Sequence, residues 1–313
     1  MPDWLIAIVL GIIEGLTEFV PVSSTGHLIV VGDLLNSSLP DSFEIVIQLG
    51  AILAISVVYR ERFRSFLRVD GYVGRPADGR PRIGEGAGFR GLNGLVLLAC
   101  ATLPAGVLGF LFYDFIRDVL SGSFTVAIAW IVGGVALLLV ERFLPNRDPA
   151  QAAATTTKPD GDPASMPIRE NVEGERVALA RSRYESLDDI TWRAALLVGC
   201  CQCFALWPGF SRSASTIVGG MFVGISRKAA AEFSFFAAMP VMLGASTLEL
   251  WSTRDEIVRE DLVILAIGLI FSFLAGLLAV RWFVAFVSTR TMVPFGWYRI
   301  IVGTLFLGWL AIS

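Results

Sequence analysis

Two carboxylates, Glu14 and Glu18, lie four residues apart in an otherwise apolar stretch near the start of the chain. Residues at this spacing share one face of a helix, with their Cβ atoms about 5 to 6 Å apart. Each acid would cost on the order of 2.5 to 3.5 kcal/mol at the centre of a membrane helix. A divalent cation, a nearby arginine or a shared proton would compensate the pair, and each of these indicates a functional site. The alternative is a pair of acids solvated at a helix end.

Hydroxyl groups and the only histidine of the chain follow in the segment Ser23-Ser24-Thr25-Gly26-His27. Free N–H groups and hydroxyls at the start of a helix form an anion-binding site. His27 could act as a general acid or base, because an imidazole gains and loses a proton near neutral pH. The alternative for His27 is a packed or capping side chain.

A second hydroxyl-rich segment, Ser211-Arg212-Ser213, also lies just beyond a proline, Pro208. Arg212 has no acidic residue to pair with in the neighbouring apolar sequence. A guanidinium is permanently charged and forks onto phosphate oxygens, so Arg212 is predicted to clamp a phosphate. The alternative is a structural salt bridge to Glu14 or Glu18. Arg299, which follows an aromatic pair, is predicted to be an interfacial or inter-helix anchor.

These groups together favour one particular kind of ligand. Carboxylates repel a phosphate unless a metal ion stands between them, so the combination suits a diphosphate bridged by a divalent cation. A pocket set within the membrane suits a substrate with a polar head and a lipid tail.

The composition indicates the elements that must position these residues. Hydrophobic residues make up 55% of the 313-residue chain and charged residues only 17%, against roughly 25% charged in a soluble domain. An ordinary soluble enzyme is therefore excluded, and the net charge of −3 gives no reason to expect nucleic acid as a partner. Six membrane-crossing helices are predicted, at 44–59, 92–112, 124–140, 229–250, 262–286 and 294–312.

Two further apolar regions are interrupted by polar, proline-containing segments, at 21–27 and at 208–213. The run 28–35 that follows the first interruption would cover only about 12 Å of a hydrocarbon core about 30 Å thick. We therefore predict two re-entrant helical hairpins whose tips meet at mid-membrane depth.

The order of these elements repeats along the chain. Residues 1–143 and 192–313 each contain one predicted hairpin and three crossings, and because three is odd the two copies must be inverted relative to each other. The predicted fold is an all-α integral membrane protein with a single membrane domain, 1–313, in which 144–191 is a flexible cytoplasmic linker. Lys and Arg concentrate in 60–90 and 142–193, which predicts that both termini lie outside the cytoplasm.

The two motifs resemble the signatures of a known family. The runs Glu14-Gly-Leu-Thr-Glu18-Phe-Val-Pro-Val-Ser23-Ser24-Thr-Gly-His27 and Leu206-Trp-Pro-Gly-Phe-Ser211-Arg212-Ser213 are similar to those of the undecaprenyl-diphosphate phosphatases, also called bacitracin-resistance proteins. The resemblance covers nearly the whole chain. It implies a bacterial inner-membrane enzyme that hydrolyses undecaprenyl diphosphate to the monophosphate and so recycles the lipid carrier of cell-wall synthesis. It also implies a divalent cation, Mg or Ca, and an active site that opens to the periplasm.

The resemblance further implies roles for individual residues. Catalytic importance falls on Glu14, Glu18, Ser24, His27 and Arg212, with substrate-binding support from Ser23, Thr25, Ser211 and Ser213. In the resulting hypothesis Glu14 and Glu18 hold the cation while Arg212 binds the terminal phosphoryl group. Ser24 could attack with Glu18 or His27 accepting its proton, or a water held by the metal could attack instead. A flippase or transporter of an anionic lipid or small anion is the rival function. The sequence is also compatible with a homodimer.

Overall fold

The computed structural model describes residues 1–40, 42–67, 88–143, 183–252 and 261–312. Throughout these ranges the regular structure is helical and no β-strand forms, which confirms the all-α prediction. The main helices are α1 (Asp3–Thr17), α2 (Ser24–Leu35), α3 (Ser42–Val58), α4 (Arg60–Leu67), α5 (Gly91–Leu111), α6 (Ser123–Phe143), α7 (Trp192–Gln202), α8 (Arg212–Val223), α9 (Arg227–Ser252), α10 (Asp261–Val287) and α11 (Val293–Leu310).

Five of these helices, α5, α6, α9, α10 and α11, are long and apolar enough to cross a membrane. Helices α3 and α4 meet at an angle of 83°, and counting this bent pair as one span gives up to six. Many of the large apolar side chains on these helices are exposed, as expected where lipid replaces water as the surrounding medium. The chain is therefore a multi-pass membrane protein, in agreement with the hydropathy pattern.

Two helix pairs have a short second helix. We call α1, α2 and the turn between them the first hairpin, and α7, α8 and the segment between them the second hairpin. Helices α2 and α8 have 12 residues each, which corresponds to about 18 Å and is too short to cross a bilayer core. The residue before each short helix has a positive φ, 70° at Ser23 and 76° at Ser211. Non-glycine residues adopt this conformation only where their surroundings enforce it, often at functional sites.

Each hairpin packs against a helix from the other half of the chain. Helix α1 lies along α10, and α7 lies along α5. Glycines allow this close approach, since a Cβ added at Gly15 would lie 2.3 Å from the Ser272 carbonyl oxygen, and one at Gly199 would lie 2.7 Å from that of Ala101. The two halves of the chain are therefore interleaved.

The end of the predicted linker is part of the packed structure. Tyr184 and Leu187 are buried in the main hydrophobic cluster, and the Tyr184 carbonyl accepts a hydrogen bond from the Ser226 N–H at 2.8 Å. Asp188 accepts hydrogen bonds from Arg62 of α4. The packed core therefore extends into the last nine residues of the segment 144–191, whereas 144–182 lies outside the described residues.

Candidate active site

The tips of the two hairpins meet in a buried ion pair. Arg212 Nη2, at the start of α8, lies 2.8 Å from Glu18 Oε1, at the end of α1. The two side chains are only 13% and 8% exposed. The two tips are therefore in contact, through the salt bridge to Glu18 that the sequence analysis named as the alternative for Arg212. A buried ion pair is a costly way to stabilise a fold, so this pair is a candidate for a functional role.

Ser24 lies against the same carboxylate. Its hydroxyl donates a hydrogen bond to Glu18 Oε2. The two oxygens of Glu18 therefore have different partners, since Oε1 accepts from Arg212 of the second hairpin and Oε2 accepts from Ser24 of the first. Ser24 is also the first residue of α2, where free N–H groups and the helix dipole favour negative charge. A hydroxyl bonded to a carboxylate beside a guanidinium is an arrangement suited to nucleophilic attack on phosphorus.

Glu14 lies one helical turn before Glu18 and is 2% exposed. Its Oε1 atom is buried and has no hydrogen-bond partner. A buried carboxyl oxygen without a hydrogen-bond partner is costly, so Glu14 Oε1 is suited to accept a ligand.

The oxygen donors at this position fit a hard divalent cation. Among the described residues no group of three or more His, Cys, Asp or Glu side chains could enclose a metal ion, so the protein itself would offer the carboxylates of Glu14 and Glu18. Magnesium commonly binds through one or two carboxylates together with substrate phosphates. Because both oxygens of Glu18 already have partners, Glu14 Oε1 is the free oxygen of the pair.

A polar cavity of about 170 Å³ lies between the two tips. Both short helices begin at this cavity, so their N–H groups and dipoles provide positive potential there. The polar side chains that the first hairpin contributes are Glu18, Ser23, Ser24 and Thr25, and those from the second hairpin are Ser211 and Arg212. The cavity thus gathers most of the predicted site residues in one place.

Ser213 has a structural position beside this cavity. Its hydroxyl donates to the Val20 carbonyl at 3.0 Å and lies 3.1 Å from the Ser211 hydroxyl. Ser213 therefore links the second tip to the first, and its hydroxyl is hydrogen-bonded to protein groups instead of facing the cavity.

His27 bonds groups other than Ser24 and Glu18. Its Nδ1 lies 2.7 Å from the Ser23 carbonyl and its Nε2 lies 2.6 Å from the Tyr298 hydroxyl. Since a carbonyl can only accept, Nδ1 is assigned as the donor and Nε2 as the acceptor from Tyr298. His27 also lines a separate, apolar cavity of about 640 Å³. The structure therefore gives His27 the geometry of a side chain that holds the backbone of the first tip.

Several residues near the site were not identified from sequence. Gln48 of α3 lines the polar cavity, and Trp130 of α6 donates from its indole N–H to the Val22 carbonyl at 2.8 Å. Arg299, predicted to be an interfacial or inter-helix anchor, is fully buried and bonds backbone carbonyls of α6, as an inter-helix anchor would. The only sequence signal was the unusual presence of an arginine within an apolar helix.

The fold and the site define a class of protein: an all-helical, multi-pass membrane protein in which two interrupted helices place charged and hydroxyl groups in one buried cavity. The family model described as "Bacitracin resistance protein BacA" matches residues 7–305 of this chain. The chain therefore belongs to that family, which confirms the resemblance noted from its two motifs.

Curated relatives support the same assignment. The chain is 43% identical to a protein named undecaprenyl-diphosphatase from Parvibaculum lavamentivorans, with 100% of this chain and 98% of that protein covered. It is 43% identical to the undecaprenyl-diphosphatase of Cupriavidus metallidurans and 44% identical to that of Cupriavidus necator, with 96% of this chain and 93% of each relative covered.

Proposed function

We propose that this chain is an undecaprenyl-diphosphatase, which hydrolyses undecaprenyl diphosphate to undecaprenyl phosphate and inorganic phosphate. The activity would return the lipid carrier to cell-wall synthesis and confer resistance to bacitracin. The observation that carries the proposal is the Glu18 carboxylate, bonded to both Ser24 and Arg212 in a cavity within an apolar helical bundle. The names of the full-length relatives support the same substrate.

The polar cavity is proposed to hold the diphosphate headgroup. Arg212 would bind the terminal phosphoryl group through its remaining donors, and the N–H groups at the starts of α2 and α8 would bind further oxygens. The hydroxyls of Ser23, Thr25 and Ser211, which also line the cavity, would orient the same group. These fixed positive groups offset the charge that builds on the phosphoryl oxygens during transfer.

Ser24 is proposed as the nucleophile and Glu18 as the base. The Ser24 oxygen would form a bond to the terminal phosphorus while its proton passes to Glu18 Oε2, to which it is already hydrogen-bonded. The bond from that phosphorus to the bridging oxygen would break, and undecaprenyl phosphate would leave. The oxygen of a water molecule would then attack the phosphoserine phosphorus, the bond from phosphorus to the Ser24 oxygen would break, and the proton held by Glu18 would return to that oxygen as inorganic phosphate leaves. A divalent cation, Mg or Ca, bound at Glu14 and Glu18 would neutralise diphosphate charge when present.

The arrangement of the chain in the membrane is part of the proposal. We infer two inverted repeats, 1–143 and 192–313, each with one re-entrant hairpin, joined by the cytoplasmic segment 144–191, whose last nine residues pack against the helices. Two features support this: α1 packs on α10 as α7 packs on α5, and Ser23 and Ser211 share a positive φ. The basic loops would face the cytoplasm of a bacterial inner membrane, with both termini and the cavity opening on the periplasmic side.

Phosphate release from a prenyl diphosphate by the purified protein in detergent tests the proposed function. We expect release with Mg or Ca and its loss on addition of a chelator. No release with any divalent cation would overturn hydrolysis and favour the rival function, transport of an anionic lipid or small anion.

A further inference from the structure

Arg299 of α11 is a buried cation whose hydrogen bonds are all to backbone carbonyls. Its side chain is fully buried, and within the described part of the chain no acidic residue forms an ion pair with it. In the second tip, Nη2 donates to the Phe210 carbonyl at 2.7 Å and to that of Gly209 at 3.1 Å. In the first tip, Nη1 lies 3.5 Å from the Pro21 carbonyl. One guanidinium therefore contacts both tips.

The same guanidinium is anchored to α6. Its Nε donates to the Trp130 carbonyl and Nη2 to the Ala129 carbonyl, each at 3.3 Å. Gly133 makes room for this contact, because a Cβ at that position would lie 2.0 Å from Nη2. A charge buried at this depth is costly unless polar groups surround it, and carbonyls from three separate parts of the chain supply that surrounding.

The interrupted helix gives the carbonyl groups of the first tip few backbone donors. Val20 accepts from the Val22 N–H at 2.7 Å and Ser23 from the His27 N–H at 3.4 Å, so side chains supply the other donors. Each of the four carbonyls from Val20 to Ser23 also accepts a hydrogen bond from a side chain. In chain order, the donors are Ser213, Arg299, Trp130 and His27. Of these donors, only Arg299 also binds the carbonyls of the second tip.

We propose that Arg299 is a positioning residue that fixes the separation of the two tips. Pro21 lies three residues from Glu18, and Phe210 lies two residues from Arg212. Holding both carbonyls on one planar group would set the distance at which Glu18 and Arg212 meet. The consequence for catalysis rests on the proposed function, whereas the bridge between the tips can be measured without it.

Hydrogen exchange followed by mass spectrometry measures the bridge directly. We expect Arg299→Gln to accelerate amide exchange in both tips, 18–27 and 207–216, because the carbonyls at each tip lose a shared donor. Arg281→Gln is the matched control, since Arg281 lies exposed on α10. Faster exchange confined to α6 and α11 would mean that Arg299 merely packs those helices together, and it would overturn the proposal.

Phosphate release by the same variants measures the effect on catalysis. We expect Arg299→Gln to lower kcat about 100-fold with a much smaller change in KM, because displacement of catalytic groups by about 1 Å has an effect of this size. Arg299→Lys keeps the charge with a single donor centre and should recover about tenfold of that loss. Values of kcat within about twofold of wild type for both variants would overturn the proposal.

Gly133→Ala disturbs the same contact while leaving Arg299 in place, which covers the case in which a change at Arg299 prevents folding. We expect a similar loss of kcat, and no further loss when it is combined with Arg299→Gln, because both changes act on one contact. Gly106→Ala is the matched control, since a Cβ there meets nothing within 4 Å. A wild-type protein without phosphatase activity would refute the proposed function, and the exchange experiment would still decide the role of Arg299.

Discussion

Glu18 and Arg212 are 194 residues apart in sequence, yet Oε1 of the carboxylate lies 2.8 Å from Nη2 of the guanidinium. The other oxygen of Glu18 accepts a hydrogen bond from Ser24. One carboxylate therefore joins a hydroxyl from the first half of the chain to a cation from the second half. The roles proposed for the neighbouring residues depend on this contact, and each role gives a separate prediction.

Ser24→Ala should lower kcat for phosphate release by about 10³-fold or more, the scale observed when a nucleophile is removed. The control is Ser56→Ala, because the Ser56 hydroxyl donates to the carbonyl one turn earlier in α3, away from the polar cavity. Acid quenching of wild-type protein with a prenyl diphosphate labelled in its terminal phosphate should yield labelled Ser24. Near-normal turnover of Ser24→Ala would instead assign the attack to water.

Glu14→Gln should raise the divalent-cation concentration needed for half-maximal activity by about tenfold or more, because the buried Oε1 atom is the free carboxylate oxygen of the site. The measurement is a titration of chelator-treated protein with Mg. Glu61→Gln is a suitable control, since Glu61 is 72% exposed on α4. An unchanged titration curve for Glu14→Gln would exclude Glu14 as a metal ligand.

His27→Asn should keep more activity than His27→Ala. The asparagine amide can take the place of Nδ1–H as donor to the Ser23 carbonyl, whereas alanine offers no donor. Both variants should retain the shape of the wild-type pH profile of kcat, because Glu18 is the proposed base. Loss of one limb of that profile in both variants would show that His27 transfers the proton.

Asp188 should make stability depend on pH at the predicted cytoplasmic side. Burial alone would raise its pKa, but hydrogen bonds from Arg62 and the Phe89 N–H outweigh burial and hold the pKa below its ordinary value. The resulting stability is present above the unfolded pKa of about 3.9 and is lost as pH falls through the lower folded pKa.

Asp188→Asn should therefore lower the free energy of unfolding by about 1 to 2 kcal/mol at pH 7, a value reduced for partial exposure. It should also flatten the dependence of Tm on pH below about 4. Thermal unfolding in detergent measures both effects. The exposed pair of Glu61 and Arg64 provides the control, and Glu61→Gln should leave Tm nearly unchanged. An equal pH dependence in wild type and Asp188→Asn would contradict the account.

The sequence predicted the elements that hydropathy determines. Long apolar runs marked the spanning helices, and the prolines at 21 and 208 marked the two interruptions. Glu18 and Arg212 were expected in one site because the tips of the two predicted hairpins were expected to meet within the membrane. These inferences depend on local composition and on the cost of burying charge, both of which a single sequence contains.

Contacts between distant side chains could not be predicted in the same way. His27 bonds Tyr298, which lies 271 residues later, and Arg299 bonds carbonyls of both tips. Such partners depend on how α11 is rotated and on glycines that admit a guanidinium, and neither leaves a periodic signal. The burial of Tyr184 likewise depends on a tertiary contact with the loop after α8. The composition of the surrounding segment gave no sign of this contact, and the segment was predicted to be part of a linker.

The most direct test of a single site built from both hairpins is a double-mutant cycle on phosphate release from undecaprenyl diphosphate. The purified wild type should release phosphate, and Glu18→Gln and Arg212→Gln should each lower kcat by about 10²-fold or more. The kcat of the double variant should be no lower than that of the less active single variant, because the groups act as a unit. Wild-type protein that releases no phosphate, or an Arg212→Gln variant as active as wild type, would contradict the account.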